Sequence, residues 1–97
     1  MLNINTGDDP VFDKENCTCN GIPLYGKVRV VESVWADFDV EVTESVWSDL
    51  KVKKVTSFPN KCGEWQFVDG FPDFTIRYVK SNPDFTIKFV DTWPGVN

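Results

Sequence analysis

Histidine is absent from this 97-residue chain, and methionine occurs only once. Without an imidazole the chain has no Ser-His or Cys-His nucleophile, no histidine general base and no histidine-ligated metal. Basic residues are also few, with 10 Lys and Arg against 15 Asp and Glu, which gives a formal net charge of −5. Nucleic-acid binders need a basic face to displace counterions, so this balance argues against a nucleic acid as partner.

Long apolar runs are missing as well. No stretch approaches the ~18 apolar residues of a membrane span, so we expect no membrane insertion. Residues 1–10 lack the basic and then apolar order of a secretory signal. That order predicts a cytoplasmic protein if this start is native, and a periplasmic or secreted one if a signal peptide has been removed.

Cysteine is scarce, and its three occurrences leave one thiol over in any pairing scheme. A disulfide from Cys62 to Cys17 or Cys19 would close a loop of roughly forty residues and contribute about 4 kcal/mol in the chain-entropy model. Three reduced thiols are an equally weighted alternative. The cysteines fall one ligand short of a closed zinc site and lack CxxC spacing, so we predict no metal and no cofactor.

The composition changes near residue 22. Residues 1–21 are polar and cannot bury enough apolar surface to fold alone, so they are predicted to form a tail or strap. Residues 22–97 alternate short apolar runs with turn residues, and their length fits one small domain.

Internal repetition is the strongest signal in residues 22–97. The segment Val31-Glu32-Ser33-Val34-Trp35 recurs twelve residues later as Thr43-Glu44-Ser45-Val46-Trp47. Corresponding bend positions then continue along the chain in steps of 12, 12, 13, 11 and 11 residues, at Ser33, Ser45, Ser57, Gly70, Ser81 and Thr92. Six bends at such regular spacing predict a domain built from tandem copies of one unit.

The runs between the bends alternate apolar and polar residues with period two. Clear examples are 38–42, 74–78 and 85–89, while 27–30 opens the series and 50–53 continues it. The alternation loses phase at Lys54-Val55, which suggests a bulge. β-branched and aromatic residues dominate and no helical stripe is present, so we predict an all-β domain of about six short strands.

Several strands end in two adjacent apolar residues, as in Val30-Val31, Phe67-Val68, Tyr78-Val79 and Phe89-Val90. Because side chains alternate along a strand, the two members of each pair face opposite sides. A sheet with one dry face would leave the second residue in water. The doublets therefore predict that both faces are covered there, by a coiled or closed sheet or by segments crossing over it.

The repeats resemble those of the septoil knot domain family. The resemblance covers roughly residues 20–97 and rests on the units at 31–33, 71–76 and 84–91, the entry at 20–28 and the middle segment at 63–68. Two bends depart from the commoner Phe-Pro-Asp, with Val34-Trp35-Ala36-Asp37 and Val46-Trp47-Ser48-Asp49 in its place. The resemblance implies a small β-rich bacterial domain whose backbone traces a seven-crossing torus knot and whose biochemical role is uncharacterised.

Carboxylates recur at the ends of four bends, at Asp37, Asp49, Asp73 and Asp84. A row of such oxygens could hold calcium, and a pair could serve glycoside hydrolysis. We expect a structural role instead, because Asp at a bend accepts hydrogen bonds from nearby backbone amides and a repeated turn repeats its Asp. Three lysines on one strand, Lys51, Lys53 and Lys54, are expected on a solvated face or edge.

Aromatic residues also recur at the bends, at Trp35, Trp47, Phe58, Phe71 and Trp93. We expect these rings to cap the ends of a thin core, since a small domain needs all the apolar burial it can obtain. The alternative is a binding strip that stacks sugars or clasps a peptide, with Trp35, Trp47 and Trp93 as its anchors. Exposed indoles would favour that alternative.

Three functional hypotheses follow. The first is a non-enzymatic structural or interaction module, a monomer or weak homo-oligomer, whose topology makes it resistant to unfolding. The second is a ligand-binding module for a glycan or a peptide that uses the aromatic bends. The third is a hydrolase built on two carboxylates, one of which would need a raised pKa. The sequence favours the first.

Overall fold

The computed structural model describes residues 11–96 and contains no helix within them. This described part contains ten strands, and the fold is all-β, as the alternation predicts. Three short strands come first, β1 (Phe12–Asp13), β2 (Thr18–Cys19) and β3 (Ile22–Pro23). Seven follow in the repeats: β4 (Gly26–Val30), β5 (Phe38–Val42), β6 (Leu50–Lys54), β7 (Glu64–Phe67), β8 (Phe74–Tyr78), β9 (Phe85–Phe89) and β10 (Gly95–Val96).

Strands β4 to β9 close into a barrel in which every neighbouring pair is parallel. The order around the ring is β4-β8-β5-β9-β6-β7, and β7 pairs with β4 to close it. A closed ring has no free edge among these six strands, so none of them is left to pair with another chain. Strand β10 is not one of the six strands of the ring. It pairs antiparallel with the first two residues of β6.

The core is filled by the inward-facing residues of each strand. The six deepest are fully buried at corresponding positions of the repeats, Val28, Val40, Val52, Trp65, Ile76 and Ile87. A second layer towards the amino ends of the strands includes Phe38, Leu50, Phe74 and Phe85. Edge-to-face contacts tie the layers together, with Phe38 and Trp65 each 5.5 Å from Phe74 between ring centroids.

Each pairing displaces the register by the same amount. Val28 lies opposite Phe74, two residues before the deepest residue of β8, and Ile76 in turn lies opposite Phe38, two residues before Val40. The same displacement of two recurs at the other four pairings. A closed ring with equal steps relates its strands by an approximate sixfold rotation, so corresponding residues of the repeats lie at the same height along the barrel axis.

The connections between parallel strands are short. Residues 31–37 join β4 to β5 across β8, although parallel crossovers usually need about a dozen residues or more. The register displacement explains this, because the connection starts where Val31 N–H donates to the carbonyl of Ile76 and ends where Asp37 meets Thr75. The end of β4 and the start of β5 therefore lie at almost the same height on either side of β8. The connection has only to cross β8 and does not have to run back along its length.

The direction of travel around the ring is constant. Four of the five connections move the chain two positions around the ring, and the connection from β6 to β7 moves it one. From β4 to β9 the chain accordingly winds about the barrel axis one and a half times. Every strand of the ring pairs on at least one side with a strand from another part of the sequence, and the doublet valines such as Val31 and Val79 are half-buried where a connection begins.

Residues 11–25 form a strap across the end of the barrel where the strands begin. Phe12 packs against Phe85 at 5.5 Å between ring centroids, and Cys19 and Leu24 are fully buried. A disulfide joins Cys17 to Cys62 in the connection from β6 to β7, so of the pairings left open the structure contains this one. Residues 1–10 of the predicted tail lie outside the described part of the chain.

Candidate functional site

The aromatic residues of the bends lie on the surface. Trp35 is 87% exposed, Trp47 is 84% exposed and Phe71 is 99% exposed, with Phe58 and Trp93 close to these values. The expectation that these rings cap a thin core is therefore wrong. The barrel is filled by its own inward-facing residues and its amino end is covered by the strap, and the bend aromatics contribute to neither.

We name these five side chains the aromatic belt: Trp35, Trp47, Phe58, Phe71 and Trp93. Each lies on a different connection, and the connections follow one another around the barrel. The remaining bend, between β8 and β9, carries Asn82 at the corresponding place and lies between the bends of Trp35 and Trp47 in the ring, while the bend of Trp93 lies between β9 and β10. Because the repeats are related by rotation, the belt encircles the barrel at nearly one height.

Two kinds of bend present the belt. In the seven-residue bends the Ser33 and Ser45 hydroxyls accept the N–H of Trp35 and Trp47 at 2.9 and 3.0 Å, which holds each tryptophan outward by local turn chemistry. In the other bends the exposed residue precedes a proline and adopts a positive φ, with values of 52° at Phe58, 46° at Phe71 and 59° at Trp93.

A positive φ is unfavourable for an aromatic residue. The left-handed region costs a residue with a Cβ about 1–2 kcal/mol relative to the right-handed one, and asparagine and glycine tolerate it best. Asn82 occupies the corresponding position with a φ of 53° and shows which residue the backbone accepts readily. Phe58, Phe71 and Trp93 therefore carry a backbone cost that no packing of their side chains offsets.

The repeated aspartates hold the barrel together. Asp37 Oδ2 accepts the N–H of Thr75 at 2.8 Å, and Asp49 Oδ2 accepts that of Thr86 at 2.9 Å. The carboxylates of the two other repeated aspartates likewise accept strand N–H groups, at 2.7 Å from Asp73 to Lys27 and at 2.8 Å from Asp84 to Asp39.

These bonds confirm a structural role for the aspartates but correct its geometry. The N–H groups belong to strands 37 to 46 residues away in sequence, whereas we expected local turns. Within residues 11–96 no three Cys, Asp or Glu side chains lie together as a metal site would require. The four carboxylates are spread around the ring instead of forming a row.

One ion pair lies on the outer wall. Arg77 Nε and Nη2 donate to the two carboxylate oxygens of Asp39, both at 2.9 Å, across the pairing of β8 with β5. These hydrogen bonds raise the pKa of Arg77 and keep it charged. Lys53 and Lys54, two of the three predicted surface lysines, diverge, since Lys53 follows the outward positions of β6 and Lys54 reaches the rings of Phe67 and Phe89.

The third cysteine is buried beneath the strap. Burial, helped by the negative charges of Asp84 and Asp49, raises the pKa of Cys19 from 9.0 to about 11. A thiol with such a pKa is protonated at neutral pH and is a poor nucleophile. Cys19 therefore acts as a small apolar core residue.

Sequence reasoning missed the far end of the barrel as a site. The first members of the apolar doublets, Val30, Phe67, Tyr78 and Phe89, lie there around an open end, and Val42 and Lys54 complete the set. The apolar doublets in the sequence marked these positions. Only a closed sheet brings their first members together around one end of a barrel, and the sequence did not show that the sheet closes.

Residues 21–97 match the family model of the 7(1) septoil knot domain. This match covers most of the chain, including all the strands of the barrel. A search of curated proteins finds no match. No helix in the described part of the chain is long and apolar enough to cross a membrane.

Proposed function

We propose that this chain, which belongs to the septoil knot domain family, is a non-enzymatic interaction module that presents its aromatic belt to a neutral glycan. The observation that carries the proposal is the exposure of five aromatic side chains at corresponding bends of five repeats. Exposed aromatic residues weaken solubility, and three of these also sit in an unfavourable backbone conformation. Such residues are retained at a cost when they contact a partner.

The chemistry of the belt favours sugars over peptides. Peptides usually bind to a sheet edge or a groove, and the six barrel strands leave no free edge. Isolated rings with both faces accessible suit the flat apolar face of a pyranose, against which an aromatic ring can stack. The ring contacts within residues 11–96 all involve the core or the barrel ends, so the belt rings are not used in packing one another.

The charge selects among glycans. A net charge of −5 repels sulfated or uronic polymers, and acidic residues Glu32, Glu44, Asp69 and Asp91 flank the belt within its own bends. Repeated weak sites on one rigid ring gain avidity from a polymer that repeats the same unit. A neutral homopolymeric glycan therefore fits both the charge and the repetition.

The barrel supplies a durable support for this surface. The chain winds more than once around the barrel, and the knot that the family name describes would add threading to that winding. Both features raise the barrier to unfolding more than they raise the equilibrium stability. We propose that the module persists where proteases or mechanical load would remove an ordinary small domain.

The test uses tryptophan fluorescence and co-sedimentation with insoluble cellulose and chitin, together with soluble neutral oligosaccharides. We expect saturable quenching, and an affinity loss of about two- to tenfold for each ring removed in Trp35→Ala and Trp47→Ala. The matched control is Val34→Ala with Val46→Ala, which removes exposed apolar side chains from the same bends and leaves the indoles.

Two results would overturn the glycan assignment. The first is tight binding to a peptide array with no binding to any neutral glycan. The second is binding to phosphatidylcholine vesicles that requires the same tryptophans, because exposed indoles also bind at the membrane–water interface.

A further inference from the structure

The barrel has one open end, which we name the C-terminal mouth. Six side chains surround it, each two residues beyond the deepest core residue of its strand, namely Val30, Val42, Lys54, Phe67, Tyr78 and Phe89. Val42 is 42% exposed and Tyr78 is 44% exposed, and partial burial raises the pKa of the Tyr78 hydroxyl. Apart from Lys54, the ring is apolar or aromatic.

The two ends of the barrel are treated differently. The strap covers the amino end through the contact of Phe12 with Phe85 and through the buried Cys19. Strand β10 also lies towards that end, since Val96 pairs with Leu50 at the start of β6. Within residues 11–96 no segment covers the mouth, where the floor is the layer of Val40, Ile76 and their counterparts.

Lys54 places a positive charge at the mouth. Its ammonium nitrogen lies 4.5 Å from the ring centroid of Phe89 and 5.8 Å from that of Phe67. The two ring centroids are 6.4 Å apart although their strands are separated by β6, so the three side chains form one cluster at the mouth. Among the described residues Lys54 forms no ion pair, and the rings satisfy its charge only in part.

The rim of the mouth has concavities of ligand size. One of about 270 Å³ is lined by Lys53, Lys54 and Phe89, with Val90 and Asp91. A corresponding one of about 360 Å³ on the neighbouring side is lined by Arg29, Val30, Phe67, Val68 and Asp69. Small-molecule sites of roughly 300 Å³ upwards are common at barrel mouths and at the carboxyl ends of parallel strands.

We infer that the C-terminal mouth binds a small amphiphilic anion, whose apolar body rests on Phe67 and Phe89 and whose carboxylate pairs with the Lys54 ammonium. Lys54 favours an anion, because it is the one charged side chain of the six that form the mouth. The charges in the two adjoining concavities balance, with Lys53 and Arg29 against Asp91 and Asp69. The apolar walls of the mouth require the rest of the ligand to be apolar, because a fully hydrated ion would gain no binding energy from them. An anion there would also gain strength from the low polarity of its surroundings.

A second copy of the chain fits this surface less well. Specific protein interfaces use about 20–30 residues on each side, whereas the mouth offers six side chains. Two mouths placed face to face would also bring two Lys54 ammonium groups together in an apolar setting, and like-charge repulsion disfavours that contact. The small anion satisfies the charge that a copy would double.

The experiment is a titration of the ¹⁵N-labelled protein with decanoate, followed by amide chemical shifts, with decanol as the uncharged probe. We expect saturable shifts at the ends of β6, β7 and β9, and binding at least tenfold weaker for decanol. Lys54→Met keeps the aliphatic length and removes the charge, so it should weaken decanoate binding tenfold or more. Lys27→Met removes an exposed charge from the opposite end of the barrel and should leave binding unchanged.

Each contrary result overturns the inference. Equal binding of decanoate and decanol would show that the mouth does not select an anion, and unchanged binding by Lys54→Met would place the anion elsewhere. Shifts at the mouth that depend on protein concentration without any probe would identify a second copy as the occupant. Preserved spectra of each variant establish that it folds.

This site is independent of the aromatic belt. The variant with both Trp35→Ala and Trp47→Ala should bind decanoate as the parent does, because neither indole lies at the mouth. Failure of glycan binding and failure of decanoate binding are therefore separate outcomes.

Discussion

At the scale of single residues, four aspartates extend the backbone ladder at the points where the parallel strands begin. Each carboxylate stands in for a strand carbonyl and accepts an N–H that the adjoining connection would otherwise leave open. Asp37 and Asp49 in addition contact the hydroxyls of Thr75 and Thr86. The repetition of Asp in the sequence thus reflects one backbone requirement that recurs in every such repeat.

The first prediction concerns Asp49. Asp49→Ala removes the acceptor of the Thr86 N–H at 2.9 Å in a partly buried setting, so the free energy of unfolding should fall by about 2 kcal/mol. Guanidinium unfolding measures the change. Asp69→Ala is the control, since Asp69 is exposed and forms no hydrogen bond within residues 11–96, and equal losses in both variants would contradict the role given to Asp49.

The second prediction concerns backbone strain in the belt. Phe71→Asn places at a φ of 46° the residue that Asn82 already supplies in the corresponding bend, so the free energy of unfolding should rise by about 0.5–1 kcal/mol. Little is lost in exchange, because Phe71 is almost fully exposed. Trp35→Asn, at a bend position without a positive φ, should bring no such gain, and a destabilised Phe71→Asn would refute the argument.

The third prediction concerns pH. The pKa of Cys19 is about 11 in the native state against 9.0 for an unperturbed thiol, so the native state keeps a proton that the unfolded state releases. Its stabilising effect is complete below pH 9 and is lost as the pH rises to about 11. Unfolding of the parent and of Cys19→Ala, measured at several pH values from 8 to 11, should show a steeper loss in the parent. Parallel curves would be inconsistent with the raised pKa.

At the scale of elements, the strap and the barrel are joined by one covalent link. The disulfide between Cys17 and Cys62 spans 45 residues of sequence, and the Leu24 carbonyl accepts both the Gly63 N–H at 3.0 Å and the Trp65 indole N–H at 3.1 Å. The strap is thus tied at the amino end of β7, where the connection is longest. The indole N–H of the fully buried Trp65 is thus paired with a backbone carbonyl of the strap.

The fourth prediction concerns this link. Cys17→Ser with Cys62→Ser should lower the free energy of unfolding by up to about 4 kcal/mol, because the unfolded chain regains its loop entropy. Hydrogen exchange should accelerate in residues 11–25 by more than it does in the barrel, whose amides should lose only the protection that corresponds to the lower global free energy of unfolding. Cys19→Ala, which retains the disulfide, serves as the comparison, and an equal loss of protection in residues 11–25 and in every barrel strand would contradict a strap that opens separately.

The sequence predicts the elements well and their assembly poorly. Alternation locates the strands, as Phe38–Val42 and Phe85–Phe89 show, because inward and outward positions differ in polarity. The same alternation is compatible with antiparallel or parallel neighbours, so the ring order could not be derived. The exposure of Trp35 could not be predicted from the sequence either. An indole can cover the end of a core or lie on the surface, and only the closed barrel decides between the two.

At the scale of the whole molecule, the winding of the chain dominates. Neighbouring strands of the ring come from opposite halves of the repeat region, so β4 pairs with β7 and β8 but not with β5. Contacts of this kind require long loops to close before any strand gains a partner. We therefore expect the hydrogen bonds that close the ring to form late in folding and together.

The fifth prediction concerns folding rates. Refolding after dilution from denaturant should take seconds or longer, since non-local pairing slows folding, and unfolding should be slower still. Stopped-flow and manual-mixing fluorescence of the tryptophans covers the range, with the disulfide kept intact. Refolding within milliseconds would be incompatible with a chain that winds one and a half times around its axis.

The interleaved order of the ring also limits how such a domain can evolve. A solenoid lengthens by duplicating a unit at its end, because each unit touches only its neighbours in sequence. Here β8, which the chain reaches on its second turn around the barrel, lies between β4 and β5 of the first turn. One added unit would therefore change the pairing partners of nearly every strand. We therefore expect the number of units in this architecture to be fixed, because a lengthened copy would have to rebuild the whole ring.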